Sequence, residues 1–327
     1  DKARAFFPCN DTPHDKATTE IIASVPSSHE TVSNGRLVLS QTKKEGEREW
    51  KTQQWKMDKP HSTYLVSLAI APFTVLRSNY QDKEISVWVG ASKKEKAAFA
   101  LETTQAAMAF FESYLGVPFP WPKYATVGLP TFMWGGMENT SSTHMNQNRT
   151  TLNDPSSERE KMGITALAAH ELAHQWFGDY ATLYWWDDLW LNESFASFLE
   201  TKATNHFFKN QEESVHFVLD TWDKYFRQEN GPRSHPIVDK NQVSAEGAFD
   251  TISYTKGENV LRMLEFYVGE EKFRAGLKKY LEKYALSNAT YLDFFRVIAT
   301  VPKTTSFRYP SHLSKQMYVQ RRFRLVV

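Results

Sequence analysis

Over the first ninety positions, apolar and polar residues alternate in short runs. EIIASV (20–25), GRLVLS (35–40), EWKTQQWKM (49–57), TYLVSLAI (63–70) and EISVWV (84–89) are rich in β-branched and aromatic residues, the composition of half-buried strands. Turn-forming stretches part them: SNG at 33–35, KKEGE at 43–47 and MDKP at 57–60. From Lys93 the period changes. KKEKAAFALETTQAAMAFFESYLG repeats its apolar positions at helical spacing and predicts a long helix closed by Gly116. A proline-rich joint, VPFPWPK (117–123), follows. Helical patterns recur over 158–177, 192–208, 211–228, 254–268, 270–285 and 291–300. The change of texture near residue 90 predicts an α+β chain in two units, an antiparallel β unit over 1–89 and a mainly helical unit over 90–327. Residues 302–327 form a basic, aperiodic tail to the second unit. No internal repeat or low-complexity segment interrupts the pattern.

Composition narrows the classes. The 327 residues are 41% hydrophobic and 24% charged, ordinary for a globular chain. A net charge of +1, from 39 basic and 38 acidic residues, offers no field to draw nucleic acid or coat a membrane. The single cysteine, Cys9, excludes an internal disulfide framework. YLVSLAIAPFTVL (64–76), the longest mainly apolar run, is too short to span a bilayer and reads as two strands. The N-terminus, DKARAFFPCN, has neither an initiator Met nor a signal-peptide pattern. The expectation is a chain that starts mid-protein. Location and oligomeric state stay open, with a soluble, cytoplasmic chain the favoured reading.

Chemistry enters at HELAHQWFG, residues 170–178. A helix turns once in about 3.6 residues, so His170 and His174 share a face. Two imidazoles so placed can hold one metal ion, and Glu171 can lie beside that ion without binding it, the HExxH pattern. Two surface histidines would be the plainer explanation. Against it, ITALAAHELAHQWFG is apolar all round, which predicts a buried helix. Burying two histidines and a glutamate without partners would cost several kcal/mol, and zinc would satisfy all three. A zinc site needs a third protein ligand and an open position. WWDDLWLNESFASFLE (185–200) supplies Glu193 after an interval of 18 residues. Glu200, two turns further on, is the competing carboxylate and suits a supporting role.

HELAHQWFG, 18 residues, then NE resembles the gluzincin-type zinc aminopeptidase family, which includes alanyl aminopeptidases and the leukotriene-processing epoxide hydrolase. The family's second signature, Gly-x-Met-Glu-Asn, is matched by GGMEN at 135–139. Weaker matches are ARAFFPCNDTPHDKAT (3–18), STYLVSLAIAPF (62–73), GVPFPWPKY (116–124) and FDTISYTKGENVLRML (249–264). The resemblance implies a truncated antiparallel β-saddle followed by a thermolysin-like catalytic domain. It implies one zinc per chain on His170, His174 and Glu193, with Glu171 as general base and Tyr254 as oxyanion stabiliser. Glu138 would anchor the cationic α-amine of peptides with a free N-terminus. Gly135, Gly136 and Met137 would shape the backbone along the substrate, and Asn139 would complete that loop. Trp134 is expected to line the first specificity pocket.

Three departures accompany the match. The family's Gln-x-Glu segment would lie upstream of Ala3 and Arg4, outside this chain. Thr12 stands where relatives usually carry glutamate, and after Val301 the resemblance ends. Two rival functions remain at this level: an inactive module that only binds, and an epoxide hydrolase using the same metal ligands.

Overall fold

The structure is a computed structural model that describes residues 3–153, 155–208, 223, 225–240 and 247–301. After a short helix α1 (Ala3–Phe6), the chain enters strand β1 (Lys16–Pro26). Four further strands follow: β2 (Glu30–Ser33), β3 (Arg36–Glu45), β4 (Arg48–Ser62) and β5 (Leu68–Ala71). β1, β4 and β3 form an antiparallel sheet in that order, while β2 and β5 form a separate antiparallel pair. The β3–β4 hairpin turns at Gly46, whose φ of 64° suits a residue without a side chain.

One expected strand is broken. In TYLVSLAI, Thr63–Leu65 form a single tight turn and only Leu68 onward is extended. Within that turn Tyr64 faces the helical unit. Its ring packs edge-on against Trp186 with centroids 5.2 Å apart, and its hydroxyl accepts from the Asn192 amide at 3.2 Å.

A five-stranded sheet follows, built from β6 (Phe73–Tyr80), β7 (Lys83–Gly90), β8 (Lys123–Leu129), β9 (Gly136–Met137) and β10 (Ser142–Asn146). Its order is β6-β7-β8-β10-β9. The β7–β8 and β8–β10 pairs are parallel and the outer two pairs antiparallel. The sheet therefore runs across residue 90, joining strands on both sides of it. Helix α2 (Ala98–Leu115) makes the crossover between β7 and β8 and ends, as expected, on a left-handed Gly116. β8 is buried at every position from Lys123 to Gly128, as a central parallel strand should be.

Helix α3 (Glu158–Ala173) starts on a Ser157 cap, whose hydroxyl accepts the Glu160 N–H. The expected helix reached residue 177. The observed one stops earlier because Gln175 and Trp176 bond back only three residues, to Leu172 and Ala173. Strand β11 (Ala181–Leu183) intervenes, and α4 (Trp190–Phe207) returns to pack on α3. A π turn at Ile252–Lys256 opens α5 (Gly257–Val268), followed by α6 (Glu270–Lys283). Strand β12 (Ser287–Ala289) pairs with β11, and α7 (Tyr291–Ala299) starts on a Thr290–Asp293 capping box. The helix expected over 211–228 falls mostly outside the described residues, as does the 302–327 tail.

Aromatic side chains weld these helices together. Phe177 and Phe195 stack at 4.4 Å, with Trp190, Tyr280 and Phe294 around them. All five are under 2% exposed. The helices that carry HELAH and Glu193 are thereby fixed by packing from behind. Among the described residues no helix is long and apolar enough to cross a membrane.

Candidate metal centre

The last turn of α3 presents His170 and Glu171, and His174 follows directly at its C-cap. The first turn of α4 presents Glu193. His170, His174 and Glu193 are all buried and each offers one ligand atom to a common point. The two Nε2 atoms are 3.2 Å apart. Glu193 Oε2 lies 3.3 Å from that of His170 and 3.2 Å from that of His174. An ion about 2.0–2.2 Å from each of three tetrahedral ligands holds them about 3.3 Å apart. The triangle has that size.

The far sides of the rings settle which atoms face inward. His170 Nδ1 lies 3.0 Å from Glu200 Oε2, and His174 Nδ1 lies 3.0 Å from the Phe177 carbonyl oxygen. Those acceptors take the Nδ1 protons, so both Nε2 lone pairs and the Glu193 oxygen converge. Three such groups repel unless a cation sits among them. Protons supply the positive charge where no ion does. Burial opposes a charge on His170, but the hydrogen-bonded carboxylates of Glu193 and Glu200 hold the imidazole well above its usual value. Burial likewise opposes a charge on His174, which Glu138 and Glu193 raise to about 9. Glu193 resists its own desolvation because His174 and His170 pull it down to about 2.

Glu171 lies beside the triangle, 4% exposed, and among the described residues its Oε2 has no hydrogen-bond partner. Burial pushes its carboxyl up to about 8. Its other oxygen touches the strand β9: a Cβ added at Gly136 would lie 2.1 Å from Glu171 Oε1. GGMEN therefore runs past the end of the metal helix, with Gly136 and Met137 forming the edge strand of the sheet. The Gly135 carbonyl accepts from Asn146 at 2.9 Å. Glu138 is 6% exposed, and burial raises its carboxyl against the pull of His174. Asn139 donates to the Leu65 carbonyl at 3.3 Å.

Tyr254 reaches the same place from the π turn. Its ring lies nearly parallel to that of His170, with centroids 5.9 Å apart. Burial, then the carboxylates of Glu193, Glu138 and Glu171, push its phenol well above the usual range, so the hydroxyl keeps its proton. Trp134 lies on the loop before β9 and is 63% exposed, leaning edge-on against Phe132.

Several residues of the site were assigned no role from the sequence, though Gln175 and Lys123 lie within HELAHQWFG and GVPFPWPKY. Gln175 spans the GGMEN loop: its Oε1 accepts the Ser141 N–H at 2.8 Å and its Nε2 donates to the Glu138 carbonyl at 3.0 Å. Lys123 donates to the carbonyls of Ser33 and Ser141, and Asn34 donates to that of Thr140. Glu200, weighed only as a rival ligand or supporting partner, orients His170.

A buried helix pair that gives an ion two imidazoles and one carboxylate, with a glutamate held alongside, is the arrangement of the HExxH metalloproteins. Comparison with known families narrows this. Residues 99–314 match the peptidase family M1 domain and residues 1–65 match the peptidase M1 N-terminal domain. The chain belongs to peptidase family M1. It is 37% identical over 304 residues to a leucyl aminopeptidase of Saccharolobus solfataricus, covering 91% of this chain and 38% of that protein. It is 35% identical over 299 residues to a probable aminopeptidase 1 of Sulfurisphaera tokodaii, covering 91% and 38%. A glutamyl aminopeptidase of Rattus norvegicus is 36% identical over 298 residues, covering 90% and 31%. The chain thus spans well under half the length of these relatives.

Proposed function

We propose that this chain carries the active centre of a zinc-dependent aminopeptidase, which removes N-terminal residues from peptides. The observation that carries the reading is the converging triangle of His170, His174 and Glu193, with the unpartnered Glu171 oxygen beside it. Two nitrogen ligands and one oxygen ligand at tetrahedral spacing, with a fourth position left open, suit zinc. The proton assignment leaves both imidazoles ready to bind through Nε2. When bound, zinc supplies Lewis acidity, polarising a carbonyl oxygen and lowering the pKa of water at its open position.

The chain's own residues do the rest. Glu171 accepts the proton of the attacking water at its free Oε2 and hands it to the leaving amine. Burial raises the proton affinity of this carboxylate, which strengthens it as a base. Tyr254 donates its phenolic proton in a hydrogen bond to the carbonyl oxygen as negative charge builds there. Glu138, the anionic group of the GGMEN loop, pairs with the substrate's α-ammonium and so selects a free N-terminus. The lack of a side chain at Gly136 lets Glu171 close against β9. The backbone of Gly135, Gly136 and Met137 runs along the peptide in this reading, and Asn139 holds the loop down.

The test is metal content together with turnover of an amino-acid arylamide and of its N-acetylated form. One zinc per chain and activity on the free amine alone are expected. Equal activity on both forms would remove the amine-binding role, and absence of zinc would remove the reading as a whole. Zinc bound with no turnover would leave an inactive binding module.

A further inference from the structure

Ser194 follows the ligand Glu193 on α4 and is fully buried. Its hydroxyl donates to the carbonyl of Ser253 at 2.6 Å. Ser253 immediately precedes Tyr254 in the π turn. In an α-helix the Gly257 N–H would bond to the Ser253 carbonyl, four residues back. Here the Gly257 N–H turns instead to Ile252 and Tyr254, and the Ser253 carbonyl is released from the ladder. Ser194 takes it. Gly257 makes the approach possible, since a Cβ there would lie 1.8 Å from Ser194 Oγ and 2.7 Å from Ser194 Cβ. On the other side, the Asp250 carboxylate accepts the N–H groups of Ile252 and Ser253 at 2.9 and 3.2 Å. The residue before Tyr254 is therefore pinned at both its amide and its carbonyl.

We propose that Ser194 is a positioning residue: its hydrogen bond to the Ser253 carbonyl maintains the π turn and so keeps the Tyr254 phenol over the metal site. The inference rests on the aminopeptidase reading for the role of Tyr254. A side chain inserted into the helical ladder is a recognised cause of such a turn. Relaxing it to an α-helix shifts the register by one residue, about 100° of rotation. That rotation carries the phenol away from His170. Ser194 thus links the helix that supplies a ligand to the turn that supplies the oxyanion donor.

The test is a double-mutant cycle of Ser194→Ala and Tyr254→Phe, with leucine arylamide as substrate. Loss of one oxyanion donor costs about 10²–10³ in kcat, so a displaced one should cost about tenfold or more. Ser194→Ala is expected to lower kcat by that factor, with KM changed less than about twofold and zinc content unaltered. In the Tyr254→Phe background it should add less than about twofold. Ser194→Gly, which removes the same hydroxyl, should repeat the pattern. Amide hydrogen exchange on zinc-free protein gives a readout independent of activity. Exchange should quicken at residues 253–257 and stay unchanged in α3. A wild-type kcat in Ser194→Ala, an equal loss in both backgrounds, or unchanged exchange at 253–257 would overturn the proposal. An inactive wild-type protein would count against the aminopeptidase reading, while the exchange measurement would still decide whether Ser194 maintains the turn.

Discussion

Replacing Gln175 by alanine should unfasten the proposed substrate-binding loop from the end of α3. The side chain is fully buried and makes two hydrogen bonds to backbone, from the Ser141 N–H and to the Glu138 carbonyl. Truncation strands one donor and one acceptor. Each buried unsatisfied group costs about 1–3 kcal/mol, giving about 2–6 kcal/mol for the pair, with the lower end expected if water fills the gap. A domain is stable by only about 5–15 kcal/mol, so the variant should fold but melt at a distinctly lower Tm. Its zinc content should hold, since Gln175 supplies no ligand atom. Its KM for a free-amine arylamide should rise more than its kcat falls, because the carbonyl that Gln175 grips belongs to the proposed amine anchor. Thermal unfolding, metal analysis and steady-state kinetics on wild type and variant measure all three. A variant with wild-type Tm and wild-type KM would show that Lys123 and Asn34 hold the loop unaided, and the argument would fail.

Other outcomes can be checked alongside. His174→Ala should abolish stoichiometric zinc binding in metal analysis, whereas Glu171→Ala should keep the metal and lose about 10²-fold or more in turnover. Glu138→Gln should raise KM for free-amine substrates, read against an N-acetylated control. Burial pushes the Lys123 ammonium from 10.5 down to about 7. Between those values the unfolded chain holds a proton that the native chain has released, so stability should rise with pH across that window. Below it both states are charged and the native one carries the buried cation. Urea unfolding at a series of pH values should show a shallower rise in Lys123→Met, and an unchanged slope would refute the assignment. Gly257→Ala should be strongly destabilising in the same assay, because its Cβ would collide with Ser194.

The convergence of His170, His174 and Glu193 was legible in the amino-acid sequence because a metal-binding pattern demands fixed residue types at short spacing. HELAH shows its geometry within a single helical turn. Glu193 stands out as the first carboxylate of the next apolar helix. Long helices were legible for a similar reason, since α2, α4 and α6 repeat an apolar pattern that no strand shares. The sheet that crosses residue 90 was not. Parallel pairing of β7 with β8 joins residues separated by an entire helix, and neither strand carries a local mark of its partner. GRLVLS read correctly as extended, yet Leu37 and Leu39 are 42% and 40% exposed, so its apolar run marks a strand without telling which face is covered. The π turn arises from one shifted hydrogen bond and has no period to find. Gln175, Lys123 and Ser194 act through backbone groups far along the chain, and polar side chains of that kind look ordinary until the fold brings their partners near.

The way the GGMEN loop is fastened bears on the order in which the parts of the site can form. His170 and Glu193 are only 23 residues apart, so the segment from α3 to α4 can bring them together early. The loop that carries Glu138 is tied down by Asn34, 106 positions from Thr140, as well as by Gln175, 37 positions from Glu138. Such distant ties pay their loop-closure entropy late. A chain caught midway in folding would thus hold the proposed metal ligands together before the proposed amine anchor is in place. On the proposed reading, selectivity for an N-terminus would belong to the finished fold, and metal capture to a short segment within it.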